Sequence, residues 1–232
     1  MSQHSKKILC VGALTALGFN VLADTTIYDS TGSYNGNVFS LSNGQEIGNQ
    51  VSVNSANWLL TGFNIEYYSP SSGPSLTNVG IDVRFYLNDG ALTNGFASPG
   101  TVLFDSGWFY NTPLGLPAGG PGSGGFHFVS YNISDFGTLM LPTNFTFTVS
   151  FTNLDAFNVV QLPLANNVTN AISSFGDYWR NDNGNWTLLT NSASAANLVA
   201  QFTAVGVPEP SMIYLGAIGG ALLLGVNRLR KR

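Results

Sequence analysis

Apolar and polar residues alternate with a period of two through the middle of the chain, and this alternation constrains the fold more than any other feature. It is clearest at residues 145–152, where phenylalanine and valine alternate with threonine and serine. It recurs at residues 63–67, 81–88 and 198–204. Successive side chains of a strand point to opposite faces of its sheet, so each segment predicts a strand with one buried face. Outside the two ends of the chain, no segment has a helical period.

Turn signals separate these predicted strands. Asn88-Asp89-Gly90 and Asn183-Gly184 combine residues that favour tight turns. About ten short strands with turns at this spacing predict an all-β body at residues 24–206, an antiparallel two-sheet sandwich of jelly-roll-like type. A barrel built from the same strands is the alternative.

The first 23 residues have the three parts of a secretory signal peptide. Two lysines precede an uncharged apolar run at residues 8–19, and small residues precede a predicted cleavage between Ala23 and Asp24. The run is shorter than the ~20 residues that a membrane-spanning helix needs. The single cysteine, Cys10, lies within the predicted signal. The mature chain is therefore predicted to be exported and to have no disulfide or thiol chemistry.

Residues 207–232 have a different composition from the body. Pro208-Glu209-Pro210 is followed by an uncharged segment at residues 212–226. Fifteen helical residues span roughly 22 Å, less than the ~30 Å hydrocarbon core, and predict a short transmembrane helix. The segment ends in a basic tail that the positive-inside rule keeps cytoplasmic, with the body on the outside. The basic residues of this tail are Arg228, Arg230, Lys231 and Arg232.

This arrangement resembles the PEP-CTERM protein-sorting domain of Gram-negative, exopolysaccharide-producing bacteria. The resemblance rests on the tripeptide, the apolar segment and the basic tail, together with the N-terminal signal. The resemblance implies that a membrane-embedded exosortase recognises Pro208, Glu209 and Pro210. It also implies cleavage near the motif and delivery of the body from the inner membrane to the cell envelope, outer surface or extracellular matrix. The segments at residues 82–107 and 177–202 loosely resemble the β-sandwich ectodomains of other PEP-CTERM proteins, which implies no activity. An ordinary C-terminal tail anchor is the alternative.

Charge and residue types exclude several function classes for the body. Residues 24–206 contain eleven acidic residues and two arginines, a formal charge of −9, whereas nucleic-acid binding requires clustered cations. A Ser-His-Asp triad or a zinc site would have to use His127, the only histidine of the body, which lies in a strand pattern. A glycosidase needs paired carboxylates, yet Glu46 and Glu66 are the only glutamates of the body and most aspartates fall at turns. The sequence therefore predicts a non-enzymatic protein.

Calcium is the one metal ion that the composition favours. Carboxylate, amide and backbone oxygens are its preferred ligands, and Asn88, Asp89 and Asp105 lie in or beside predicted loops. No EF-hand spacing is present. These three residues are the candidate calcium ligands, and no other cofactor is predicted.

One predicted hairpin brings two tryptophans together. If Asn183-Gly184 is a two-residue turn, Trp179 faces Leu188 and Asn181 faces Trp186. Trp179 and Trp186 are then diagonal neighbours beside an amide, a candidate platform for sugar rings. The alternative function is thus a carbohydrate-binding module acting on exopolysaccharide. Leu188 on the same face favours instead a buried role for the tryptophans. The other two tryptophans of the body have no such neighbours and are predicted to lie in the core: Trp58 and Trp108.

Overall fold

A computed structural model describes most of the body. It covers residues 23–207, except 55–56, 71–74, 77, 111–115, 118–124, 133–134, 136, 172, 175 and 191–195. Residues 1–22 of the predicted signal, the Pro208-Glu209-Pro210 motif, the apolar segment at 212–226 and the basic tail lie outside the described residues. Within the described residues, no helix is both long and apolar enough to cross a membrane.

Strands and their connecting loops build the body. The strands of the described residues are β1 Thr25–Asp29, β2 Tyr34–Ser40, β3 Glu46–Ser52, β4 Trp58–Ser69, β5 Ser75–Leu76, β6 Gly80–Leu87, β7 Leu92–Thr93, β8 Phe96–Ala97, β9 Val102–Asp105, β10 Leu116–Pro117, β11 Gly125–Asn132, β12 Met140–Leu141, β13 Asn144–Thr152, β14 Gln161–Ala165, β15 Ser173–Ser174, β16 Tyr178–Asp182, β17 Asn185–Leu189, β18 Asn197–Leu198 and β19 Ala200–Gly206. All four segments with clear alternation therefore form strands.

Two large antiparallel sheets contain most of these strands. The eight-stranded sheet has the order β1-β19-β4-β14-β18, with β11 and β12 also paired to β4 and β2 paired to β14. The seven-stranded sheet has the order β17-β16-β3-β13-β6-β9, with β15 paired to β3. The short strands form two further pairs, β5 with β10 and β7 with β8. The prediction of an all-β fold of packed antiparallel sheets is confirmed.

Aromatic rings fill the space between the two sheets. Phe202 of β19 stacks on Tyr28 and Phe63 of its own sheet, with ring centroids 4.7 and 5.0 Å away. Across the interface its ring meets Phe147 edge-on at 4.9 Å and lies 5.9 Å from Phe85. All five rings are fully buried. Because offset and edge-to-face packing are the favourable geometries for aromatic pairs, Phe202 is the central contact of the core.

The strand β13 differs from its predicted half-buried form. The alternation predicts solvent on its polar face, yet Thr146, Thr148 and Ser150 are buried. Thr148 donates its hydroxyl to Glu46, and Thr146 donates to the amide oxygen of Asn88. Both faces are covered because β13 lies in the middle of its sheet, where side chains of neighbouring strands close over the short hydroxyl residues.

Replacing Phe202 by alanine is expected to lower the free energy of unfolding by about 3–5 kcal/mol, because it leaves a cavity between the sheets. Urea denaturation followed by tryptophan fluorescence measures the loss. Phe128→Ala is the matched control, since that ring is 53% exposed on β11; the control is expected to change stability by no more than about 0.5 kcal/mol. Equal losses in the two variants would contradict the central role of Phe202.

Candidate functional site

The predicted hairpin is present in the register that the sequence implies. In the pairing of β16 with β17, Trp179 faces Leu188 and Asn181 faces Trp186. Asn183 and Gly184 have φ angles of 54° and 88°. Positive φ at both central residues is the requirement of a type I′ turn, which explains why this dipeptide closes the hairpin.

The two tryptophans of this hairpin have different environments. Trp179 is paired with Gly48, on the outer face of the seven-stranded sheet, and it has no exposed surface. Its ring offers no face to a ligand, so the buried alternative describes Trp179. Trp186 keeps partial exposure and packs edge-on against Tyr86, with ring centroids 5.5 Å apart. Asn181 donates to Glu46 at 3.1 Å. A two-ring platform is therefore not formed here.

Beside this hairpin, Arg84 is the centre of a charged cluster on the same outer face. Its guanidinium lies 2.8 Å from carboxylate oxygens of Asp82 and Asp105 and 3.6 Å from one of Glu46. Glu46 also accepts a hydrogen bond from the hydroxyl of Tyr86 at 2.8 Å. This Arg84 cluster joins β3, β6 and β9 through side chains. Its acids are engaged with protein partners, which suits a structural role.

Three carboxylates share one guanidinium in the Arg84 cluster, so full ionisation leaves an excess of negative charge. Asp82 is the most buried of the three acids. Burial raises the pKa of Asp82 from 3.8 to about 6, with a further rise from the charges of Asp105 and Glu46, although Arg84 opposes it. Protonation of Asp82 relieves this repulsion.

The candidate calcium ligands are held by separate partners. Asp89 accepts hydrogen bonds from the backbone N–H and the hydroxyl of Thr101, both at 2.7 Å. Asp105 contacts Arg84, and the amide of Asn88 bonds to two side chains of β13. In the part of the chain that the structure covers, no three His, Cys, Asp or Glu side chains are grouped to hold a metal ion. Calcium binding stays a prediction.

An open groove of about 990 Å³ lies beyond the end of β9, and the sequence did not predict it. Trp108, Phe109 and Tyr110 are 41%, 45% and 40% exposed in it. The assignment of Trp108 to the core is therefore wrong, whereas Trp58 does pack against the core. We call this site the aromatic groove; its lining residues are Asn78, Trp108, Phe109, Tyr110, Asn153, Asp155 and Asn158.

The backbone of Phe109 fixes the aromatic side of the groove. Two hydrogen bonds join it to Ile81, at 2.8 and 3.0 Å, in an isolated bridge at the edge of the sheet. Tyr110 then lies over Gly80, where an added Cβ would be 2.7 Å from Cε1 of the ring. Trp108 stays exposed because β9 is the last strand of its sheet. Three consecutive aromatic residues were the sequence signal, since one face of a strand cannot bury all three.

Asparagines and one aspartate form the polar side of the aromatic groove. Asn153 donates its amide N–H to the backbone oxygen of Asn78 at 2.7 Å. Asp155 accepts hydrogen bonds from the backbone N–H groups of Phe157 and Asn158, both at 2.7 Å. These bonds lower the pKa of Asp155, so its carboxylate is charged at neutral pH. The polar side is thus a hydrogen-bonded loop with a fixed negative charge.

Asp82→Asn is expected to remove a pH-dependent loss of stability. The pKa of Asp82 is higher in the folded protein, at about 6, than the usual 3.8, so the folded state binds a proton more tightly than the unfolded chain. The free energy of unfolding of the wild type therefore falls as pH rises between these two values. Thermal unfolding across this interval measures the difference between wild type and variant.

Asp155→Asn is the control, because the pH dependence that Asp155 gives to stability has the opposite sign. Its pKa is lowered in the folded protein, so its contribution to the free energy of unfolding is lost as pH falls. Parallel pH profiles for the wild type and the Asp82 variant would contradict the protonation of Asp82.

Comparison with known proteins identifies no family for this chain. No family model matches, and none of the curated proteins matches. Among solved structures, one chain in the structure of infectious bursal disease virus Gx strain is similar at 12% identity, with a TM-score of 0.26. The match covers 82% of this chain and 37% of that one. This chain therefore spans little more than a third of the length of that protein, and a similarity this weak supports no argument.

Proposed function

We propose that this chain is a non-enzymatic, exported protein of the cell envelope or extracellular matrix, delivered through its C-terminal sorting signal. An exosortase-type membrane enzyme reads Pro208, Glu209 and Pro210 and cuts near them. The segment at 212–226 holds the precursor in the inner membrane, and the basic tail fixes its orientation. The observation that carries the proposal is the completion of the folded body directly before the motif.

The last strand of the body supports this division. Gly206 at the end of β19 is paired with Trp58, and the N–H of Val207 donates to the backbone oxygen of Asn57 at 2.8 Å. The motif begins at the next residue. A cut at or after the motif therefore removes no described strand and opens none of the sheet pairings. The released body keeps its aromatic core.

The N-terminal junction has the same character. Ala23 and Asp24 are exposed, and β1 begins at Thr25. Cleavage between them breaks no strand pairing of the eight-stranded sheet. Both predicted cuts therefore lie outside the hydrogen-bonded body. A protein that is cleaved at both ends and then stays folded requires this arrangement.

Two finer parts of the proposal have separate support. The jelly-roll-like topology is favoured by pairing between distant strands, above all β1 with β19. A non-enzymatic role is favoured by the acids of the Arg84 cluster, which are engaged with a cation rather than with an open cleft. The alternative function, a carbohydrate-binding module acting on exopolysaccharide, requires aromatic surface elsewhere than at Trp179.

The mass of the protein recovered from its native cell envelope and growth medium tests the sorting proposal. The wild type is expected to lack the residues that follow the motif, because cleavage releases the body. A variant with Pro208, Glu209 and Pro210 replaced by alanine is expected to keep Arg232. Pro70→Ala, in an exposed position at the end of β4, is the control and is expected to be processed normally.

Retention of Arg232 on most wild-type molecules would overturn the proposal. The protein would then be a tail-anchored membrane protein that acts at the surface of the inner membrane.

A further inference from the structure

Three consecutive aromatic residues of the aromatic groove, Trp108, Phe109 and Tyr110, are 40–45% exposed although the core is built from such rings. Trp108 and Tyr110 flank Phe109, whose bridge to Ile81 makes the backbone locally extended. Residues two apart on an extended backbone lie on the same side, about 6.6 Å apart along the chain. The rings of Trp108 and Tyr110 therefore form a short aromatic row on one side of the chain. Contiguous exposed apolar surface rimmed by polar residues is a mark of ligand-binding grooves.

The row is held in place before any ligand arrives. The backbone at Gly80 supports one side of the Tyr110 ring, and a residue with a side chain at position 80 would collide with that ring. The bridge at Phe109 fixes the chain between the two rings. Ordering these side chains on binding therefore costs little entropy, which favours affinity.

Amide groups face the row across the groove. Asn78, Asn153 and Asn158 line it, and each amide side chain carries two N–H donors and a carbonyl acceptor. The hydroxyl groups of sugars are both donors and acceptors, so they match amides well. The loop at residues 153–158 is held by a hydrogen bond to the backbone of Asn78 and by hydrogen bonds of its own, which keeps these groups in position. Aromatic faces opposite amides suit a ligand with apolar ring faces and a polar rim.

Charge selects among such ligands. Asp155 carries the only charge among the described residues that line the groove, and its pKa is lowered, so it is ionised. The body as a whole is strongly acidic, with two arginines against eleven acids. Uronic-acid polymers and nucleic acids are repelled by this field. An apolar peptide would leave the asparagines and the aspartate desolvated, which is costly.

We propose that the aromatic groove binds a neutral polysaccharide chain, with Trp108 and Tyr110 stacked on sugar rings and the amides bonded to hydroxyl groups. This site is distinct from the hairpin of β16 and β17, and it goes beyond the sorting function. The body then has an adhesive role on a neutral glycan. Whether the tail is cleaved does not affect this binding.

Native affinity electrophoresis of the full chain in mild detergent tests the site. The gels contain one of three neutral polymers: hydroxyethyl cellulose, galactomannan or dextran. Carboxymethyl cellulose is the anionic counterpart with the same backbone as the first. The wild type is expected to be retarded by at least one neutral polymer and less by carboxymethyl cellulose. Trp108→Ala and Tyr110→Ala are each expected to weaken binding about tenfold or more.

Two further variants distinguish binding at the groove from effects on folding and from nonspecific binding by exposed rings. Trp108→Phe keeps a smaller ring and is expected to give intermediate retardation. Phe128→Ala removes a more exposed ring, on the eight-stranded sheet, and is expected to bind like the wild type. Thermal unfolding of every variant shows that it is folded.

Four outcomes would overturn the proposal. Three of them are no retardation by any neutral polymer, equal retardation of the wild type and both alanine variants, and stronger retardation by carboxymethyl cellulose than by the neutral polymers. A loss in Phe128→Ala as large as that in Trp108→Ala would do the same. The sorting proposal is tested independently, by the mass of the C-terminal peptide.

Discussion

Packing of aromatic rings between the two sheets is the interaction on which the rest of this structure depends. Phe202 and Phe63 each contact rings from both sheets, and both rings are fully buried. The body has no cysteine, so no disulfide can hold the sheets together. Ion pairs of the described residues lie on outer faces or at strand ends rather than between the layers. The hydrophobic effect and ring geometry therefore supply the cohesion between the sheets.

The local parts of the fold could be predicted from the sequence. The alternation at β13 and β6 identified two strands, and the Asn183-Gly184 turn predicted the register of β16 with β17 to the residue. Both features are decided by neighbours in the chain, through the pleat of a strand and the φ angles of a turn. Such signals do not depend on which strands meet across the fold.

What the sequence could not provide was the position of each strand in its sheet. Thr146 and Thr148 are buried because β13 is central, and Trp108 is exposed because it follows the edge strand β9. Long-range pairing decides both outcomes, and no local pattern encodes it. The same reason explains Trp179, whose burial depends on β3 lying beside β16. The predicted pair of tryptophans therefore does not form a platform on this hairpin, because one of the two rings is buried.

The central position of β19 has a mechanical consequence. This strand is the last of the body, and it is paired along both edges, with β1 on one side and β4 on the other. A pull on the chain beyond Val207 acts along the strand, at right angles to the hydrogen bonds of both ladders. Those bonds bear the load together in shear instead of opening one after another. A body suspended from its C-terminal segment, as a precursor in the membrane would be, is thus attached by the geometry that best resists tension.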